Sequence, residues 1–163
     1  NLKLIYADEL RGEIIVDQND HCWITTTTLS SDFPVVGAAQ NSHSGMQDAV
    51  AFKFNSDLSS LLWSTYYGGT ADDAGYSIQL NSINEPIITG GTMSSDLFTS
   101  NGAINTSNSG NQDGFIAKFN GTGNSINAAT YIGTNLYDQC YFIQTDLNDN
   151  IYVYGQTEGI CTC

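Results

Sequence analysis

An all-β fold built from a repeated unit is what the sequence predicts, and three observations carry that prediction. The segment QDAVAFKFN at residues 47 to 55 returns as QDGFIAKFN at 112 to 120, a step of 65 residues, and TYYGG at 65 to 69 returns as TYIGT at 130 to 134 with the same step. The period-2 alternations of β-strands run through each copy, and no helical period of 3.6 survives over more than about two turns. Ser, Thr, Asn and Gly abound while only 13% of residues are charged, which suits turns and exposed strand faces rather than helices held by ion pairs.

The repeat extends in both directions. Tyr76 to Leu80 aligns with Tyr141 to Thr145 at a step of 65, and Ile14, Ile24, Thr28, Ser31 and Asp32 align with Ile78, Ile88, Thr92, Ser95 and Asp96 at a step of 64. Residues 1–46 are thus read as the C-terminal part of one unit with its linking loop, 47–111 as a complete unit, and 112–163 as most of a further one. The chain holds about two and a half copies.

Each element of the complete copy has its own signal. From Asp48 to Asn55, Val50, Phe52 and Phe54 alternate with Ala49, Ala51 and Lys53, so this run is a strand. Ser56-Asp57 turn the chain, and Leu61 to Tyr67 form a second strand that Gly68-Gly69 break. Gly75 to Leu80 set Tyr76, Ile78 and Leu80 on one face and Ser77 and Gln79 on the other. Asn81 to Asn84 supply turn chemistry, and Pro86 to Gly90 make a fourth strand. The stretch from Ser94 to Gln112 lacks periodicity and is read as a long loop leading to the next unit.

Four short antiparallel strands per repeat, stacked by repetition, are the pattern of a β-propeller blade. Solenoid coils are usually shorter than this period and sandwich domains longer. Because propellers close with roughly four to eight blades, two and a half blades are expected to belong to a larger ring, seven-bladed closure included. Strand-like residues stand near both ends, Leu2, Leu4, Ile5 and Tyr6 at one and Tyr152, Val153 and Tyr154 at the other. The chain is accordingly expected to continue, or to dock its ends on other subunits. An Asn at position 1 reads as a processed or truncated start.

Composition narrows the partners. Four Lys plus Arg against 17 Asp plus Glu leave a net charge of −13, which repels phosphate backbones and anionic membranes. Nucleic acid is therefore not expected as a partner, and no apolar run is long enough for membrane insertion. The apolar content of 40% supports a folded core.

The residues also carry a resemblance. DAVAFKFN, WSTYYGG, DDAGYSI and IITGGTMSSDLF, in that order, resemble the SBBP family, a bacterial β-propeller repeat, and the match spans nearly the whole chain, from Ser31-Asp32-Phe33-Pro34 to Tyr152-Val-Tyr-Gly155. The resemblance implies a segment of a large secreted or cell-surface bacterial protein, extracellular in location. Three positions depart from it: Arg11 and Cys140 replace Gly75, and Cys161 stands where Asp32 and Asp96 stand in other copies.

Each candidate site has a scaffold reading beside the functional one. Asp72-Asp73 would suit a carboxylate pair for acid/base work, but neighbours on an extended chain point apart, and acidity recurs at Asp8-Glu9 and Tyr137-Asp138. Asp146 to Asn150 have the composition of a calcium loop without its glycine and glutamate, so an Asx-type turn fits better. His21 and His43 do not recur and sit in no nucleophile motif. Tyr66, Tyr67 and Tyr131 would stack on sugar rings or fill gaps between blades. Cys22, Cys140, Cys161 and Cys163 occupy no common repeat position; if a disulfide forms, Cys140 with Cys161 or Cys163 is favoured over Cys22. Lys53 and Lys118 occupy one repeat position in a chain with few cations, and their expected ion-pair partners are Asp48 or Asp73 and Asp113 or Asp138.

No cofactor, catalytic residue or metal ligand is expected. The sequence reading is a non-catalytic repeat segment, scaffold or module, contacting protein or glycan at the cell surface along with further blades. The alternative is part of an enzyme acting on polysaccharide in a central channel.

Overall fold

The computed structural model describes residues 11–160. They form ten strands, all paired antiparallel, in three sheets, with no helix among the described residues and hence none long and apolar enough to cross a membrane. The first sheet has the order β1 (Glu13–Val16), β2 (Cys22–Thr28), β3 (Asp48–Phe54), β4 (Leu61–Tyr67). The second repeats it with β5 (Asp73–Leu80), β6 (Pro86–Thr92), β7 (Asp113–Phe119) and β8 (Ile126–Ile132). A third contains β9 (Asp138–Thr145) and β10 (Ile151–Thr157).

The unit 47–111 straddles two sheets, supplying β3 and β4 to the first and β5 and β6 to the second. A repeat period is the same wherever the frame is cut, so the alignment alone carries no phase. The long segment from Ser94 to Gln112 does not lead to a new sheet. It links β6 to β7 within one sheet, and its residue Asn105 accepts a hydrogen bond from Tyr131 N on the outer strand at 3.2 Å, as Gln40 O accepts from Tyr66 N one repeat earlier. Passage between sheets falls instead at the short segments after β4 and β8, where the parallel bridges Gln47 to Asp72 and Gln112 to Tyr137 tie each sheet to the next.

Turns repeat as closely as strands. Asp17, Asn81 and Asp146 open the β1–β2, β5–β6 and β9–β10 hairpins, and the side-chain oxygen of each accepts backbone N–H groups two and four residues on. Asp20, Asn84 and Asp149 hold the left-handed position of these turns, with φ of 61°, 60° and 60°. Asp and Asn tolerate that region because their short polar side chains bond locally. In the β3–β4 hairpin the same conformation falls on Leu58, and in β7–β8 on Gly123.

Sheets pack face to face: β5 lies against β1, β2 and β3, and β9 against β5, β6 and β7. Between the first two sheets, Phe115, Ala117 and Phe119 of β7 meet Ala49, Ala51, Trp63 and Tyr67 in one buried cluster. Phe119 lies edge-on to Trp63 at 5.5 Å between ring centroids, and Phe115 lies 5.0 Å from Tyr67. Such pairs contribute about 0.5–1.5 kcal/mol beyond their burial.

Candidate functional site

Four aspartates open four strands at one end of the stack: Asp48 on β3, Asp73 on β5, Asp113 on β7 and Asp138 on β9. All four are buried. Each carboxylate accepts a backbone N–H from nearby loop or crossover residues: Asp48 from Ser44 at 3.0 Å, Asp113 from Ser109 at 2.9 Å, Asp73 from Gly69 at 2.7 Å and Asp138 from Thr134 at 2.6 Å. Asp73 also accepts from Ser94 Oγ at 2.8 Å and from Thr92 Oγ1. Glycine is required above two of them. A Cβ on Gly68 would stand 2.5 Å from Asp48 Cγ, and one on Gly133 the same distance from Asp113 Cγ.

Burial pushes Asp48 up to about 6, against opposing hydrogen bonds and His43, and pushes Asp73 up to about 6 against the bonds from Thr92, Gly69 and Ser94. Burial raises Asp113 as well. Raised carboxyls are what general acid catalysis needs, but here they are buried and at least one oxygen of each is bonded to loop amides or hydroxyls, while Asp48 Oδ1 and Asp113 Oδ1 are left without a hydrogen-bond partner. Asp72, the other half of the sequence-predicted pair, is half-buried, and its backbone carbonyl accepts from Met93 at 2.8 Å. Neighbouring side chains on an extended chain leave opposite faces, so Asp72 and Asp73 do not act as one pair. His43 Nε2 lies 4.0 Å from Asp48 Oδ1, and neither atom has a hydrogen-bond partner.

The lysines meet other carboxylates than Asp48, Asp73, Asp113 and Asp138. Lys53 Nζ lies 3.4 Å from Asp17 Oδ2, and Lys118 Nζ 3.2 Å from Glu85 Oε2. The reason is strand length. Lys53 is five residues beyond Asp48, about 17 Å at the rise of an extended chain, so the aspartates cluster at one end of the sheets and the lysines at the other. Antiparallel pairing sets Trp23 opposite Lys53 and Ile87 opposite Lys118, which brings the β1–β2 and β5–β6 turns to the lysines. Lys53 Nζ also sits 4.3 Å over the Trp23 ring. Burial alone would raise Asp17, but bonds from Trp23, Asn19 and His21 outweigh it and hold the carboxyl well below the usual range.

Two inter-sheet features had partners that the sequence did not give. Arg11, a departure from the repeat, places its guanidinium 4.2 Å over the Tyr141 ring and 5.8 Å from that of Tyr76. Along the same first strands, Glu13 Oε2 accepts from Ser77 Oγ at 2.5 Å and Ile78 N at 2.8 Å, and Ser77 Oγ in turn accepts from Ile143 N at 3.1 Å. Glu13, Ser77 and Phe142 are one repeat position, so at the third copy the polar side chain that carries the relay gives way to an aromatic one. A chain-local reading sees an unremarkable Glu and Ser, because the partner is about 65 residues away.

The other candidates resolve into scaffold geometry. Tyr66, Tyr67 and Tyr131 are buried; Tyr66 Oη donates to Ser30 O and Tyr67 Oη to Phe98 O, both at 2.9 Å, while Tyr131 Oη accepts from Leu97 N at 2.8 Å. They fill the stack and offer no face to a sugar. Asp146 accepts from Asn148 N and Asn150 N, the Asx pattern of its hairpin. Among the described residues no group of three His, Cys, Asp or Glu is placed to hold a metal. His21 Nδ1 contacts Asp17 Oδ2 at 3.1 Å. Cys22 and Cys140 are free thiols, Cys140 is buried and pushed up to about 11 by burial, and Cys161 and Cys163 lie outside the described residues.

Compared with protein-family models and with curated proteins, the chain matches none.

Proposed function

We propose that this chain is a non-catalytic β-propeller repeat segment of the SBBP kind, a scaffold or interaction module of a secreted or cell-surface bacterial protein that contacts protein or glycan. The observation that supports this reading best is the fate of the four strand-opening aspartates. Their repeat-equivalent carboxylates are enclosed and bonded to loop and crossover amides, so the most chemically potent groups of the chain join neighbouring parts of the stack. A catalytic acid must instead reach a proton on its substrate. Sheets that repeat at one step and pack face to face are what a propeller needs, and ring closure would require further blades against the two outer sheets.

The test is to incubate the purified chain with a panel of bacterial and plant polysaccharides and measure reducing-end release. No turnover is expected. Release that disappears on Asp72→Asn or Asp73→Asn, in a variant that keeps its melting temperature, would overturn the reading in favour of a glycan-cleaving enzyme.

A further inference from the structure

We infer that Lys118 and Asn81 condense into an isopeptide bond joining β7 to the β5–β6 turn, with Glu85 as the proton carrier. The three groups that such a reaction needs meet around one carboxylate. Glu85 Oε2 lies 3.2 Å from Lys118 Nζ and accepts from Asn81 Nδ2 at 2.8 Å, so the amine and the nitrogen it would displace share one oxygen. Asn127 Nδ2 fixes the other oxygen, donating to Oε1 at 2.8 Å. Asn81 and Glu85 are buried, which keeps water away from the amide, and Lys118 is only part-buried, which leaves ammonia a way out. Holding reactants together in this way replaces an encounter in solution by a step within the fold.

The amide is also polarised. Asn81 Oδ1 accepts from Glu85 N at 2.8 Å and from Ile83 N at 3.2 Å. Two backbone donors on a carbonyl oxygen stabilise the negative charge that attack on its carbon places there. The turn that positions Asn81 therefore activates it as well.

The reaction is redox-neutral and needs no co-reactant. The Lys118 ammonium gives one proton to Glu85, and the freed lone pair on Nζ attacks Asn81 Cγ while the carbonyl π pair moves onto Oδ1. Glu85 then protonates Nδ2 and takes a second proton from Nζ. The Cγ–Nδ2 bond breaks with its electron pair leaving on nitrogen, the carbonyl reforms, and the departing ammonia takes the last proton from Glu85 as ammonium. The product keeps Oδ1 as an acceptor for the turn amides.

One repeat earlier the same positions hold a different set. Asp17, His21 and Lys53 stand where Asn81, Glu85 and Lys118 stand, at steps of 64, 64 and 65 residues. Lys53 Nζ lies 3.4 Å from Asp17 Oδ2, but Asp17, whose carboxyl stays well below the usual range, remains a carboxylate and is no electrophile for an amine. Lys53 is thus an internal control that keeps its ion pair.

To test this, the full chain is recovered denatured, refolded by dilution and followed by intact mass and by tandem mass spectrometry of tryptic peptides. Loss of the mass of one ammonia is expected, with a branched peptide linking residues 81 and 118, no cleavage after Lys118 and normal cleavage after Lys53. Lys118→Arg, which keeps the charge but is no nucleophile, should abolish the loss. Glu85→Gln should slow it at least about a hundredfold, and melting curves show that both variants fold. The branched peptide is read on the parent chain, so the inference stands or falls even where a variant misfolds. A refolded chain that keeps its full mass, a branch at Asn127, or a loss that persists in Lys118→Arg, as a backbone imide at Asn101 or Asn120 would, overturns it.

Discussion

The interface between the first and second sheets and the one between the second and third occupy the same repeat positions and are built from different side chains. In the first, Gly75 of β5 comes close to Ala49, a Cβ placed on it reaching 3.4 Å from the Ala49 Cβ. In the second the residues are Cys140 and Gly114, and a Cβ placed on Gly114 would overlap Cys140 Sγ. Bulk has crossed from one sheet to the other while the sheets keep their approach. Likewise Trp63 and Tyr67 give way to Ala128 and Ile132 as Ala39 and Ala51 give way to Ile104 and Ile116. Backbone clamps persist where side-chain volume drifts: a clamp needs one atom at one place, but a packed space can be filled from either side.

Truncation should break the comparison most sharply. Trp63→Ala removes a buried ring that Trp23 and Phe119 both touch, and it should cost about 3–5 kcal/mol in urea unfolding. Ala128 at the equivalent place is exposed beside a cavity that Ile104, Ile116 and Val153 also line, so Ala128→Trp should change stability by less than about 1 kcal/mol. Equal losses from the two would mean that the interfaces are not built differently.

The aspartates come next. Asp73 holds Gly69, Ser94 and Thr92, whereas Asp138 holds Thr134 alone. Asp73→Ala should therefore destabilise by about 2–4 kcal/mol and Asp138→Ala by less, since a hydrogen bond to a charged group contributes roughly 1.5–3 kcal/mol. Asp73 also sets a pH dependence. Its carboxyl rises from 3.8 in the unfolded chain to about 6 in the fold, so the folded state binds the proton more tightly. Its stabilising contribution is complete below about pH 4 and is lost as pH rises through about 6. Thermal melts between these values should show that decline, and Asp73→Asn should reduce it, leaving the share that Asp48 and Asp113, both raised by burial, contribute with the same sign.

A smaller effect probes the exchanged bulk directly. Gly114→Ala should cost about 1–3 kcal/mol through collision with Cys140, and adding Cys140→Gly, which reproduces the Gly75 and Ala49 pairing, should recover most of it. A double-mutant cycle without coupling would refute the volume exchange. The smallest change belongs to Lys53→Met, which removes a partly exposed ion pair with Asp17 and a contact with Trp23. Chemical denaturation should move by no more than about 1 kcal/mol.

Strand positions, hairpin turns and the period were legible in the sequence because each depends on residues close along the chain. Alternation at Val50, Phe52 and Phe54 marks a strand wherever that strand docks, and Asp17, Asn81 and Asp146 bond to amides within four residues of themselves. The buried role of Tyr66, Tyr67 and Tyr131 was among the two readings their positions allowed. Only the tertiary structure decided which strands share a sheet, since a period has no phase until the chain either pairs or crosses over. It also decided the partners of Lys53 and Lys118, because antiparallel pairing carries the end of one strand to the start of another and sequence distance says nothing of it. Arg11 over Tyr141 and Glu13 on Ser77 belong to the same class: each joins residues more than 60 positions apart, and the face-to-face stacking of sheets alone makes them neighbours.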